Sequence, residues 1–151
     1  MKKLFLLIIL AIGFTAVAQE QNSKLSEDVT ITTKNTKTKV RANTNGKIIV
    51  NVTPADVRKF KSIGFVTYGD FVAKGNGKTD DIDAIAGTHA FANQHKLAVK
   101  ANEGATYYIG GKDRTAVIQT NTDFGTAAFI IDDTDVQNRN ANVFMVSSNL
   151  Q

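Results

Sequence analysis

Tyr68-Gly69-Asp70-Phe71-Val72-Ala73-Lys74-Gly75-Asn76-Gly77-Lys78-Thr79-Asp80-Asp81 is the stretch on which the reading of the fold turns. It sets a glycine-rich bend and a pair of acids in front of an apolar-periodic segment. Gly77-Lys78-Thr79 imitates the end of a phosphate-binding loop. Such a loop needs a glycine five residues earlier, so that consecutive backbone N–H groups can wrap the phosphates. That position is Val72, whose Cβ obstructs the wrap, and nucleotide binding is rejected.

The same residues read better as a tight turn feeding a helix from about Asp81 to Gln94. Thr79 or Asp80 supplies the cap, and Asp81 and Asp83 face the positive helix end. At 100° per residue, Ile82, Ile85, Ala86, His89 and Ala90 share a face, with Phe91 opposite. His89 on that stripe is expected to be a hydrogen-bonded core residue. His95 suits the negative end of the helix. The two histidines are six residues apart and cannot form an i,i+4 metal pair.

Upstream, Val29-Thr30-Ile31-Thr32-Thr33 and Ile48-Ile49-Val50-Asn51-Val52 alternate as strands do, and Asn45-Gly46 signals a hairpin with a type I′ turn. Thr53-Pro54-Ala55-Asp56 reads as a helix start, with Val57, Phe60 and Ile63 on one side and Gly64 as the stop. Phe65 to Phe71 reads as a strand. Downstream, Leu97–Lys100, Tyr107–Ile109, Ala116–Gln119, Ala127–Ile131 and Val143–Val146 are short strand candidates punctuated by glycines. This spacing fits either a sandwich or the coils of a solenoid.

The segment from Tyr68 to Asp81, the helix after it and Gly104-Ala105-Thr106-Tyr107-Tyr108-Ile109 together resemble the opening of the pectate lyase superfamily. The resemblance covers about Phe65 to Ile131. It departs from the pattern at Val72-Ala73, at Asn76 and in lacking a proline before Gly104. It implies a mainly β chain that starts a right-handed parallel β-helix, with an N-terminal capping α-helix and a small β-rich module in front; the alternative is a small β-sandwich with one helix. In such a family Gly75, Gly77, Thr79, Asp80 and Asp81 build the cap and are not the catalytic centre.

The resemblance also implies a secreted polysaccharide-active protein, of glycoside hydrolase or polysaccharide lyase type, whose catalytic residues lie on later coils. The chain ends after two or three coils, so these residues are expected to be an N-terminal fragment. The alternative is a non-catalytic glycan-binding or structural module. An open last coil is expected to favour self-association. A lyase of this kind uses Ca²⁺, for which Asp132, Asp133 and Asp135 are the candidate ligands; a solvated Asp-rich turn is the competing reading. Arg114 and Arg139 are candidates to pair with uronates. No catalytic residue is identified.

Composition and charge narrow the setting. With 151 residues, no cysteine and two histidines, a disulfide framework, a cysteine zinc site and a thiol nucleophile are excluded. Lys2-Lys3, the apolar run Leu4 to Ile12 and Ala16-Val17-Ala18 make an export leader over residues 1–18, with cleavage expected before Gln19. The run is too short to span a bilayer. Removing Lys2 and Lys3 with the leader lowers the formal charge from +4 to +2. Between Lys34 and Lys61 eight bases face one acid, Asp56, whereas residues 62–151 carry seven bases and ten acids. This asymmetry divides the mature chain into a basic module, 19–64, and a second part, 65–151. An anionic partner and a merely solvated surface are both compatible with the basic part. Nucleic acid is disfavoured by export and by the lack of interleaved aromatics.

Overall fold

A computed structural model describes residues 29–138 and 140–148. The leader and Gln19 lie outside the described residues. Strands β1 (Val29–Thr33), β2 (Lys39–Ala42) and β3 (Ile48–Val52) form the first sheet, in which β3 is central, parallel to β1 and antiparallel to β2. The β2–β3 turn sits at the expected Asn45-Gly46. Only Gly46 is left-handed, at φ 75°, and Asn43 Oδ1 accepts from Asn45 N and Lys47 N, so the bend is not type I′. The hairpin partner is β2; Val29–Thr33 joins the other edge.

Helix α1 (Pro54–Ile63) starts and stops where its local chemistry dictates. Thr53 Oγ1 accepts from Asp56 N at 3.0 Å, and Gly64 at φ 80° returns its N–H to Phe60 O. The expected strand Phe65 to Phe71 is shorter: β4 is Phe65–Thr67, and Gly69–Phe71 is a 3-10 turn. Asp70 Oδ2 accepts from both the N–H and the hydroxyl of Thr67, which folds the chain back. The glycine-rich stretch, expected as a turn, holds an irregular strand, β5 (Asn76–Asp80). Its bulge absorbs two extra residues between Asn76, beside Thr106, and Asp80, beside Tyr108.

Helix α2 (Ile82–His95) follows and ends at Lys96, which takes a left-handed φ of 55°. It is followed by β6 (Ala98–Lys100), β7 (Thr106–Gly110), β8 (Ala116–Ile118), β9 (Thr122–Asp123), β10 (Ala128–Asp132) and β11 (Phe144–Val146). Three sheets are wholly parallel: β4-β6-β9, β5-β7-β10 and β8-β11.

Among the described residues the chain is therefore a mixed α/β arrangement of four small, mostly parallel sheets and two helices. This corrects the expected mainly β chain that opens a right-handed parallel β-helix, and equally the sandwich with one helix. Among the described residues the sheets have two or three strands each, and none closes on itself or runs on as a solenoid sheet. Nor is α2 a lid at one end. It carries apolar side chains on opposite faces, and both are buried. Ile82, Ile85 and His89 are fully covered, and Phe91 packs on Phe60 and Phe71 at ring distances of 5.9 and 5.2 Å. Gly87 lets β2 and β3 approach: a Cβ there would lie 3.0–3.2 Å from Val50 and Val40. One hydrophobic cluster runs from Ile48, Val50 and Val52 to Ala116, across the boundary between residues 64 and 65.

His89 is a core residue as expected. Its Nε2 and the Tyr68 hydroxyl are 2.8 Å apart, and both side chains are fully buried. No helix among the described residues is long and apolar enough to cross a membrane.

Candidate functional site

Alternation along β7 sends Tyr107 and Ile109 into the core and leaves Thr106, Tyr108 and Gly110 on the outward face of the β5-β7-β10 sheet. Pairing then sets the neighbours of Tyr108. Asp80 of β5 lies beside it on one side and Ile130 of β10 on the other, while Asp132 stands opposite Gly110. The Tyr108 hydroxyl donates to Asp132 Oδ2 at 2.7 Å. Gly110 makes this reach possible, because a Cβ there would lie 2.5 Å from Tyr108 Cε1 and 2.8 Å from its hydroxyl oxygen.

A chain of ion pairs borders this face. Lys112 Nζ lies 2.9 Å from Asp83 Oδ2 and 3.4 Å from Asp80 Oδ2. Arg114 Nε donates to Asp83 Oδ1 at 2.9 Å, and Nη2 donates to Gly46 O, tying the β2–β3 turn to the site. Burial pulls the Lys112 pKa down, but its bond to Asp83 and the charges of Asp83 and Asp80 outweigh that and hold it above the usual value. Hydrogen bonds from Thr134 and Tyr108 bring the Asp132 carboxyl down to about 2. The bond to Asp132, with the charges of Asp132, Asp80 and Asp135, holds the Tyr108 hydroxyl above its ordinary value. Neither member of the Tyr108–Asp132 pair is poised near neutral pH for proton transfer. The pair is built to stay a neutral phenol beside an ionised carboxylate.

The residues singled out in the sequence fall in different places. Asp132 belongs to the site, but Asp133 and Asp135 are exposed on the following turn. Among the described residues no group of three or more His, Asp or Glu side chains is placed to hold a metal ion. Arg114 is half-buried and engaged with Asp83 and Gly46; Arg139 lies outside the described residues.

The cap motif divides its labour differently from expectation. Thr79 does not cap the helix; its hydroxyl accepts from Asn76 Nδ2. Asp80 Oδ1 accepts from Ile82 N at 3.1 Å, an Asx turn just ahead of the helix, whose N-cap position is Asp81 and carries no side-chain cap bond, so neither Thr79 nor Asp80 is the cap. The Asp81 carboxylate, only 2% exposed, turns back and accepts from Lys74 N at 2.7 Å and Gly75 N at 2.9 Å. Gly75 and Gly77 are left-handed, and a Cβ on Gly75 would lie 2.8 Å from Ala105 Cβ.

Tyr108 and Lys112 escaped the sequence reading. The signal for Tyr108 was the outward register of Tyr107-Tyr108-Ile109, in which one of two adjacent tyrosines must face away from the core. Compared with protein-family models, with curated proteins and with solved structures, the chain has no significant match in any of the three.

Proposed function

We propose that the protein is an exported carbohydrate-recognition module, with the outward face of the β5-β7-β10 sheet as its sugar platform. The observation that carries this reading is Tyr108, a partly exposed ring flanked in register by Asp80 and Ile130 and bonded to Asp132. An aromatic and an aliphatic side chain side by side offer a flat apolar surface to the C–H face of a pyranose. Ionised carboxylates at its margin accept strong hydrogen bonds from sugar hydroxyls. Three acids near the ring, Asp80, Asp132 and Asp135, make a neutral glycan the better ligand for this face than a uronate.

Screening the purified chain against immobilised neutral polysaccharides tests the reading. Binding to at least one is expected, weakened tenfold or more by Tyr108→Ala. Tyr108→Phe keeps the ring and loses only the bond to Asp132, so a loss of a few-fold is expected. A Tyr108→Ala protein that binds as well as the parent would refute the platform. Export has its own check. Mass spectrometry of secreted material is expected to find Gln19 at the N-terminus, and an intact Met1 would contradict it.

A further inference from the structure

The outward face of the first sheet carries a different chemistry from the Tyr108 platform. Val40 and Val50 point inward onto Gly87 of α2, so alternation turns Lys39 and Arg41 of β2 to the other side. Register completes two rows across that face: Lys39, Asn51 and Thr32 in one, Arg41, Ile49 and Thr30 in the other. Thr32 bonds to Asn51 Oδ1, which fixes the amide between the lysine and the threonine. Lys34 and Lys37, on the segment joining β1 to β2, and Lys47, just before β3, are exposed cations bordering these strands.

None of these five cations has an ion-pair partner among the described residues, in contrast to Lys112 and Arg114, which are both paired. The one acid between Lys34 and Lys61, Asp56, accepts from the Thr38 hydroxyl at 2.8 Å and, among the described residues, makes no ion pair with this face.

We propose that this face binds an anionic polysaccharide, a site separate from the Tyr108 platform. Lys39 and Arg41 are two residues apart on one strand, about 7 Å along it, and so present charges in series to a linear polyanion. Between and beside them stand hydroxyls and an amide, groups that exchange hydrogen bonds with sugar hydroxyls. The two rows hold a single large apolar side chain, half-buried Ile49, and no aromatic ring. A membrane-binding face needs apolar side chains to enter the headgroup boundary. A single-strand nucleic-acid face needs rings on which bases stack. Charge without either favours the polysaccharide.

The test compares dextran sulfate with dextran, polymers that share a backbone and differ in charge, using the full chain at low and moderate salt. Binding to dextran sulfate only, weakening steeply as salt rises, is expected. Lys39→Gln with Arg41→Gln is expected to weaken it at least tenfold, while Arg41→Lys retains most of it and Tyr108→Ala leaves it unchanged. Should the double variant fail to fold, Lys34→Gln with Lys37→Gln at the border reads the same loss with a smaller factor. Equal or tighter binding to phosphatidylserine vesicles or to a single-stranded oligodeoxynucleotide overturns the proposal. So does a folded double variant with unchanged affinity. Loss through Tyr108→Ala instead would move the polyanion to the other face.

Discussion

Asp81→Ala is expected to lower the unfolding free energy by about 3 kcal/mol, through two hydrogen bonds that a charged acceptor makes to backbone donors. The carboxylate is buried and holds the N–H groups of both Lys74 and Gly75. Alanine leaves both donors without that acceptor, beside a glycine at which a Cβ would lie 2.8 Å from Ala105 Cβ. Asp81→Asn is expected to be nearly as damaging, because one end of its amide presents an N–H to a backbone N–H. Asp80→Ala loses its bond from Ile82 N and its ion pair with Lys112, together about 1 kcal/mol. Thr79→Ala, whose hydroxyl bonds only to Asn76, is expected to be close to neutral. Urea unfolding of the three alanine variants gives the ranking, and hydrogen exchange at Lys74 and Gly75 locates the damage. A Thr79→Ala protein as unstable as Asp81→Ala would contradict this division of labour.

The second large effect is on acid stability, and it comes from His89. Burial brings its pKa from 6.5 down to about 4. The ring bonds Tyr68 through Nε2, while Nδ1 has no partner among the described residues, so an added proton would place charge on an enclosed and unsatisfied ring. The unfolded chain takes up that proton near pH 6.5, before the folded chain does. The His89 contribution is therefore complete above pH 6.5, falls as pH drops toward 4 and is gone below it. Between those limits it amounts to about 3 kcal/mol. Burial and the charge of Lys61 also lower His95, which acts in the same direction but more weakly because it is partly exposed. Asp56, held low mainly by its hydrogen bond from Thr38, contributes stability that is lost only below the ordinary carboxylate range. Urea titrations at steps from pH 7 to 4.5 are expected to show this loss, and His89→Gln to leave only the shallow His95 slope. The parent and His89→Gln losing stability equally over that range would exclude His89 as the cause.

The parts of the fold that were legible in the chain are those settled between near neighbours. Thr53, Pro54 and Gly64 bound helix α1 because a cap and a left-handed stop act within one turn. The helix expected from about Asp81 to Gln94 spans Ile82–His95 and ends likewise at a left-handed stop, and His89 took the core position its stripe implied. The bend at Asn45-Gly46 was equally local. Errors began where two local solutions competed. Phe65 to Phe71 has the composition of a strand, yet the Asp70 carboxylate captured Thr67 and broke it after three residues.

Everything that makes the candidate surfaces depends on partners distant along the chain. Asp132 reaches Tyr108 across 24 residues, and Arg114 reaches Gly46 across 68. The pairing of β5, β7 and β10 sets Asp80, Tyr108 and Ile130 side by side, and no pattern within any one of those segments encodes that register. The same holds for the architecture. The periodicity of short strands was compatible with a sandwich or a solenoid, and tertiary packing produced neither, because α2 is apolar on opposite faces and had to be covered on both. Caps and turns are decided by hydrogen bonds that a few residues can satisfy among themselves. Sheets and sites form only where burial brings remote segments together strongly enough to offset the entropy of closing the chain between them.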